Sequence, residues 1–427
     1  MQNRVQKKKK ISLTTMIFIA LLAGALAGVI INYLIPSNYV VDDIIVQGVF
    51  YIVGQGFIRL MRMLVVPLVF CSIVCGSMAV GDTKKLGSVG VKTLIFYLCT
   101  TALAITVALT IANIFNPGKG LDMSQIQVTS TVSETTQSMS MTETLLDIIP
   151  VNIFNSLSEG NMLQIIVFAL ILGVILANMG DRVDIVKNFF GQFNDIMMEM
   201  TMAVMKLAPI GVFCLIAKTF AEIGFEVFIP LLKYMFCVLL ALAVQCFVVY
   251  LGLLKIFSGL NPFIFIKNFF PVMAFAFSTS TSNATIPMNI DTLAEKMGVS
   301  KRISSFTIPL GATINMDGTS IMQGVAVVFT AQAFGITLDM MDYLTVIGTA
   351  TLASIGTAGV PSVGLITLTM VFNSVGLPIE GIALIMGIDR ILDMTRTAVN
   401  ITGDAVCTTI VASWNKAVDR DVYYRRK

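Results

Sequence analysis

Long apolar runs fix the solvent of this chain before any other feature is considered. They cover Ile11–Ile35, about 44–80, the stretch up to Phe115, and about 162–178, 198–222 and 228–256. A bilayer core of about 30 Å is crossed by roughly 20 apolar residues rising about 1.5 Å each. The runs therefore read as crossings, with enough apolar sequence for eight or more. Charge agrees: Lys, Arg, Asp and Glu make up 12% of 427 residues, about half the usual share of a soluble domain. The mean hydropathy is +0.87. An all-α polytopic membrane protein is expected.

Histidine is absent. That removes imidazole bases, His-ligated metals and Ser-His-Asp or Cys-His catalysis. The seven cysteines lie inside apolar runs, and Cys71 and Cys75 lack CxxC spacing. They read as packing thiols, and an enzyme is not expected.

Charge also orients the chain. Arg4 and Lys7–Lys10 precede the first run, which is longer than the apolar core of a signal peptide and reads as a retained span. Lys84 and Lys85 follow the second run, whereas the Ser/Thr-rich stretch Ser124–Thr144 has no Lys or Arg. The tail carries Lys416, Arg420, Arg425, Arg426 and Lys427. Counted from a cytoplasmic N-terminus, the basic links fall inside and the Ser/Thr loop outside. Both termini are expected in the cytoplasm, and the compact loops point to the cell (inner) membrane.

Past residue 260 the texture changes. Small polar residues interrupt apolar runs at Ser278–Asn283, Asn315–Thr319 and Ser354–Ser362, and Asp389–Asp404 carries charge through a helix-length stretch. Non-helical backbone at membrane depth survives only where it is buried in protein or lines a cavity. Interrupted hairpin, span, interrupted hairpin, span is the order of an inverted-repeat transporter, with its site where the broken segments meet.

On a helix at about 100° per residue, Asp393, Arg396, Asn400 and Asp404 fall within about 60° of Asp389. Charges at membrane depth cost about 2.5–3.5 kcal/mol each even on the lenient scale. They need a wet or ligand-filled site, or partners. A guanidinium such as Arg396 suits a carboxylate, and Asp393 suits an ammonium. Together they suggest a zwitterion with an additional carboxylate, as in aspartate or glutamate. Asp317, Asp404, Asn315 and Asn400 are hard oxygen donors. They suit Na+, and a proton fits the carboxylates equally well.

Asn315-Met316-Asp317-Gly318-Thr319, in the stretch Gly311–Thr319, resembles the signature of the glutamate/aspartate:sodium symporters, the dicarboxylate/amino acid:cation family that includes excitatory amino acid transporters. The serine-rich tip before Thr285-Ile286-Pro287, Gly356–Pro361 and Asp389–Asn400 are similar to that family too. The likeness runs from the first span to Ala412.

The resemblance implies eight transmembrane helices plus two re-entrant helical hairpins, inverted repeats, a homotrimer and an elevator mechanism. Scaffold spans fall at 11–85 and 148–225, after a basic terminus at 1–10. The third span lies at 86–116, the external loop at 117–147 and the sixth span at 226–258. The first hairpin follows at 259–297, the broken seventh span at 298–336, the second hairpin (the gate) at 337–378, the eighth span at 379–415 and the tail at 416–427.

By matched position, the resemblance gives Arg396 and Thr319 the substrate's side-chain carboxylate and Asp393 its α-amino group. Asn400, Thr397 and Ser282 take the α-carboxylate, with backbone of both hairpin tips (Ser280, Thr281, Gly359, Val360). Two to three Na+ ions are implied. One sits by Gly311, Asn315, Asn400 and Asp404. A second uses Thr313, Met316, Ser354, Ile355 and Thr357. A third involves Tyr97, Thr100, Thr101, Asn315 and Asp317. Hinges fall at Gly359 and Gly364.

Two departures stand out. Archaeal members carry arginine at the first hairpin tip, where this chain has Ser280; here Arg390 on the last span supplies an auxiliary charge. Thr395 stands where Gly or Ala is common. The expected partners are an acidic amino acid, lipid and two further copies of the chain; nucleic acid and organic cofactors are not expected. The rival readings within the family are proton coupling and a neutral amino acid, C4-dicarboxylate or cystine substrate. An intramembrane aspartyl protease fails because Asp393 and Asp404 sit about 16 Å apart along one helix. An ion channel needs no Asp393/Arg396 pair.

Overall fold

The computed structural model describes residues 13–81, 88–121, 149–224, 228–355 and 363–424. The Lys84/Lys85 link, the Ser124–Thr144 loop and the tip residues Thr357, Gly359 and Val360 lie outside the described residues, as does the side chain of Arg390. Among the described residues the chain is helical, and the sole strand-like pairing is an isolated bridge between Val299 and Val418.

The first half builds α1 (Leu13–Leu34), α2 (Tyr51–Gly81), α3 (Ser88–Phe115), α4 (Ile153–Glu159), α5 (Met162–Met179), α6 (Asp184–Met205) and α7 (Ala208–Ile223). The apolar stretch 198–222, expected as one run, is divided at Lys206-Leu207 between α6 and α7. Asparagines start helices where carbonyl-type side chains can cap free amides: Asn152 accepts from Phe154 N at 3.0 Å, and Asn261 from Phe263 N at 3.0 Å. α1 lies tightly on α7. A Cβ on Gly24 would come 2.7 Å from Phe213 O, and one on Gly28 2.5 Å from Phe220 Cβ. This small-xxx-small face lets two backbones approach as membrane helices do when hydrophobic drive is lacking.

The second half holds α8 (Phe228–Val244), a π-helical turn Gln245–Tyr250, and α9 (Leu251–Ser258). The first hairpin is α10 (Pro262–Thr279) and α11 (Ser282–Met297). The broken span is α12 (Lys301–Ile314) and α13 (Asp317–Ala333). The second hairpin is α14 (Met340–Ser354) and α15 (Val363–Ser374). The charged stretch lies within α16 (Gly381–Trp414), and α17 (Arg420–Tyr424) closes the described chain.

Packing separates the helices into two groups. α1, α2, α5, α6 and α7 pack on one another; α3, α8 and the elements from α9 to α16 pack around α16 and α13. The groups meet where α15 touches α2 and α5, and where α16 touches α1 and α7. Six helical segments among the described residues are long and apolar enough to cross a bilayer. The broken span and α16 fall outside that set because polar groups interrupt them. All seven cysteines are free thiols.

Candidate substrate and cation site

The site begins where α12 stops. Asn315 turns to extended backbone (φ −88°, ψ 96°), and Met316 bridges to α13. This two-residue break frees helix-end groups that the bilayer would leave unpaired, and α16 meets them. Asn400 Oδ1 accepts from Gly318 N at 2.7 Å. Asn315 Nδ2 donates to Asn400 O at 3.0 Å and to Asp404 Oδ1 at 2.9 Å. Asn400 Nδ2 approaches Met316 Sδ at 3.4 Å. The crossing needs glycine: a Cβ on Gly318 would stand 2.8 Å from Arg396 O.

Asp317 is wholly buried. Its Oδ1 accepts from Thr101 Oγ1 at 2.6 Å, and its Oδ2 from Tyr250 Oη at 2.7 Å and Gln245 Nε2 at 3.0 Å. Thr100 Oγ1 donates to Tyr97 O at 3.1 Å, Thr101 Oγ1 lies 2.8 Å from that same oxygen, and Tyr97 Oη donates to Thr307 O at 3.3 Å. A Cβ on Gly311 would come 2.5 Å from Tyr97 Oη and would clash with Asp404. Tyr97, Thr100, Thr101, Gly311, Asn315, Met316, Asp317, Asn400 and Asp404 therefore converge where α3, α12–α13 and α16 meet.

Asn315 Oδ1 is buried without a hydrogen-bond partner. Its amide nitrogen is spent on Asn400 and Asp404, so its oxygen remains as an orphaned hard acceptor. Orphaned acceptors are rare inside proteins and ask for an explanation. Oxygens of Asn315, Asp317 and Asp404 are hard donors that fit Na+ rather than a soft metal. No cluster of three or more His, Cys, Asp or Glu of the kind that holds a transition metal occurs among the described residues.

The second cluster centres on Arg396, only 1% exposed. Nη1 donates to Asp389 at 2.5 Å and Nη2 to Asp393 at 2.9 Å. The charges thus pair along one helix, one and two turns apart. Arg396 Nε and Asp389 Oδ2 have no hydrogen-bond partner, so an N–H edge of the guanidinium is unspent. α15 closes over this cluster: a Cβ on Gly364 would lie 3.0 Å from Thr319 Cγ2 and 3.4 Å from Arg396 Nη2. Gln323 Nε2 ties α13 to the same hairpin through Thr367 Oγ1 at 2.8 Å.

The remaining expected residues make local bonds. Thr397 donates to Asp393 O at 2.8 Å, and Thr313 to Leu310 O at 2.9 Å. Ser354 donates to Thr351 O at 2.7 Å, and Ile355 N reaches Leu352 O at 3.1 Å. Ser280 sits at the first hairpin tip in left-handed backbone (φ 52°), its buried hydroxyl without a partner. Thr281 is extended, and Ser282 O accepts from Thr285 at 2.6 Å. Both arms of this hairpin pack on α16. Thr395 makes an ordinary i−4 bond to Ile391 O at 3.2 Å, which explains how a hydroxyl fits there.

Sequence reasoning missed three residues. Asp389 stood on the charged face but was not singled out as a partner of Arg396. Gln245 and Tyr250 lie alone in an apolar run, and an amide at membrane depth was the only signal for them.

The sequence pattern of the sodium:dicarboxylate symporter family matches residues 13–414. The chain belongs to that family. It is 40% identical over 411 residues to a proton/sodium-glutamate symport protein of Bacillus caldotenax, covering 95% of each chain. It is 36% identical over 422 residues to the proton/glutamate-aspartate symporter of Escherichia coli K12, covering 97% of this chain and 95% of that one. A C4-dicarboxylate transport protein of Ralstonia nicotianae is 33% identical over 372 residues, 86% of each. The chain is accordingly a multi-pass membrane symporter coupled to a cation, and not an enzyme.

Proposed function

We propose that this symporter carries acidic amino acids, L-aspartate and L-glutamate, coupled to Na+. The observation that carries this reading is the charge of the buried site. Four carboxylates, Asp317, Asp389, Asp393 and Asp404, are buried with one guanidinium, Arg396, which pairs with Asp389 and Asp393. With the carboxylates ionised, the site is formally three charges negative. An acidic amino acid adds one more negative charge, and at low dielectric that is prohibitive without compensation. Two to three Na+ ions at the oxygen cluster supply it, which makes coupling a consequence of charge balance.

The same balance selects the substrate. The unspent edge of Arg396 and Thr319 take the side-chain carboxylate. Asp393 takes the α-ammonium, while Asn400, Thr397 and Ser282 take the α-carboxylate. A C4-dicarboxylate has no ammonium for Asp393 and meets surplus negative charge. Proton coupling is the second reading, favoured by the proton named for two relatives.

The group of α3 and α8–α16 is the moving part of an elevator in this reading. α1, α2 and α5–α7 form the static scaffold of a homotrimer in the cell membrane, with both termini cytoplasmic. The second hairpin is the gate, hinged at Gly359 and Gly364, and Arg390 is an auxiliary charge. Uptake of labelled L-aspartate into proteoliposomes tests the core of this. Accumulation driven by an inward Na+ gradient and abolished in Arg396→Ala is expected; accumulation driven only by a proton gradient selects the second reading.

A further inference from the structure

We infer that the π-helical turn Gln245–Tyr250 is a positioning element for the cation site at Asp317, holding that carboxylate in ligating orientation before any ion arrives. The inference rests on the sodium reading above and extends it to residues outside the ligand set. Gln245 and Tyr250 are five apart and both fully buried. On a regular α-helix, residues five apart point about 140° from each other, so they could not reach one atom. In a π-turn the i→i+5 repeat stacks them on one face. The span departs from α geometry between Val244 and Leu251, and there both side chains donate to the same oxygen, Asp317 Oδ2, at 3.0 and 2.7 Å.

Two further observations point toward an ion. First, Gln245 Oε1 has no hydrogen-bond partner; its nitrogen reaches Asp317 and Thr100 O while its oxygen goes unsatisfied. A packing glutamine has no need of that arrangement, whereas orphaned groups gather at functional sites. Second, Tyr250 reaches the centre of the site. A Cβ on Gly403 would lie 2.5 Å from Tyr250 Oη and 2.6 Å from Asn315 Nδ2. Asn315 is the residue whose own oxygen is orphaned. With Oδ2 fixed by the π-turn and Oδ1 facing Thr101, the carboxylate cannot swing away from α3 and Asn315.

Thermal unfolding of the full-length protein in detergent, without amino acid, tests this across NaCl concentrations at constant ionic strength held with choline chloride. Wild type is expected to show a Tm that is flat at low Na+ and climbs once Na+ exceeds its dissociation constant, since an ion bound only to the folded state stabilises it logarithmically above that concentration. Tyr250→Phe and the near-isosteric Gln245→Met should each raise the Na+ concentration at which that climb begins about tenfold, the usual consequence of losing a hydrogen bond to a charged group. A purely structural role would lower Tm equally at every Na+ concentration and leave the onset of the climb in place; that outcome in both variants overturns the inference. A wild-type Tm that ignores Na+ refutes the sodium reading itself and takes the inference with it.

Discussion

The two helix groups bury different things. In α1, α2 and α5–α7 the buried polar side chains are small hydroxyls such as Ser72, Ser77, Thr201 and Thr219. Their shorter bonds are local, as from Thr219 to Leu215 O at 2.9 Å and Thr201 to Met197 O at 2.9 Å. The described charged side chains there are not buried within the protein, as in the Lys218–Glu222 pair. In the other group, Asp317, Glu380, Asp389, Asp393, Arg396 and Asp404 are all buried, and among the described side chains no other Asp, Glu, Lys or Arg is. One group buries no charge among its described side chains and, apart from an unpartnered Asn194 Oδ1, keeps to the rules for helices in lipid. The other breaks those rules at a break in a span, a π-turn and a charged helix, and such conflicts in a natural sequence mark function.

The largest expected effect is Arg396→Ala. It strands Asp389 and Asp393 in the interior, a loss of about 3–5 kcal/mol, so uptake should vanish and Tm fall together. Arg396→Lys should not restore uptake, because a point charge cannot serve two carboxylates and a substrate as a fork does.

Asp393→Asn sharpens the contrast between substrates. It removes the partner proposed for the ammonium and leaves the carboxylate contacts. Aspartate affinity should fall about 10–100-fold, the worth of a charge-assisted hydrogen bond, while succinate, which has no amine, competes better than in wild type. Equal losses for both in competition binding would remove Asp393 from the ammonium role.

Gly318→Ala asks whether the crossing tolerates one methyl group. With Arg396 O 2.8 Å from the new Cβ, overpacking should cost about 1–3 kcal/mol, read as lower Tm and weaker aspartate binding. Thr219→Ala is the scaffold counterpart and should change stability by less than about 1 kcal/mol, with uptake retained. A scaffold substitution as damaging as Gly318→Ala would break the comparison.

Much of this was legible in the sequence, for a physical reason. Helices in lipid are long and apolar, so α1, α2 and α3 announce themselves. The polar break at Asn315–Asp317 and the one-faced stripe from Asp389 to Asp404 follow from residue type and helical period alone. Other features depend on a neighbour that one-dimensional periodicity does not supply. The division at Lys206-Leu207 lies inside an apolar run. The pairing of Arg396 with Asp389 requires knowing that a guanidinium reaches back two turns. Gln245 and Tyr250 fall on different faces of any regular helix, and only the π-turn brings them to one oxygen.

Charge balance between substrate and cation is the centre of the account, and titration of L-aspartate into the purified protein at a series of Na+ concentrations tests it most directly. Affinity should climb steeply with Na+, with more than one ion taken up per aspartate, and be negligible in choline. Tight aspartate binding that ignores Na+ and follows pH alone would contradict it.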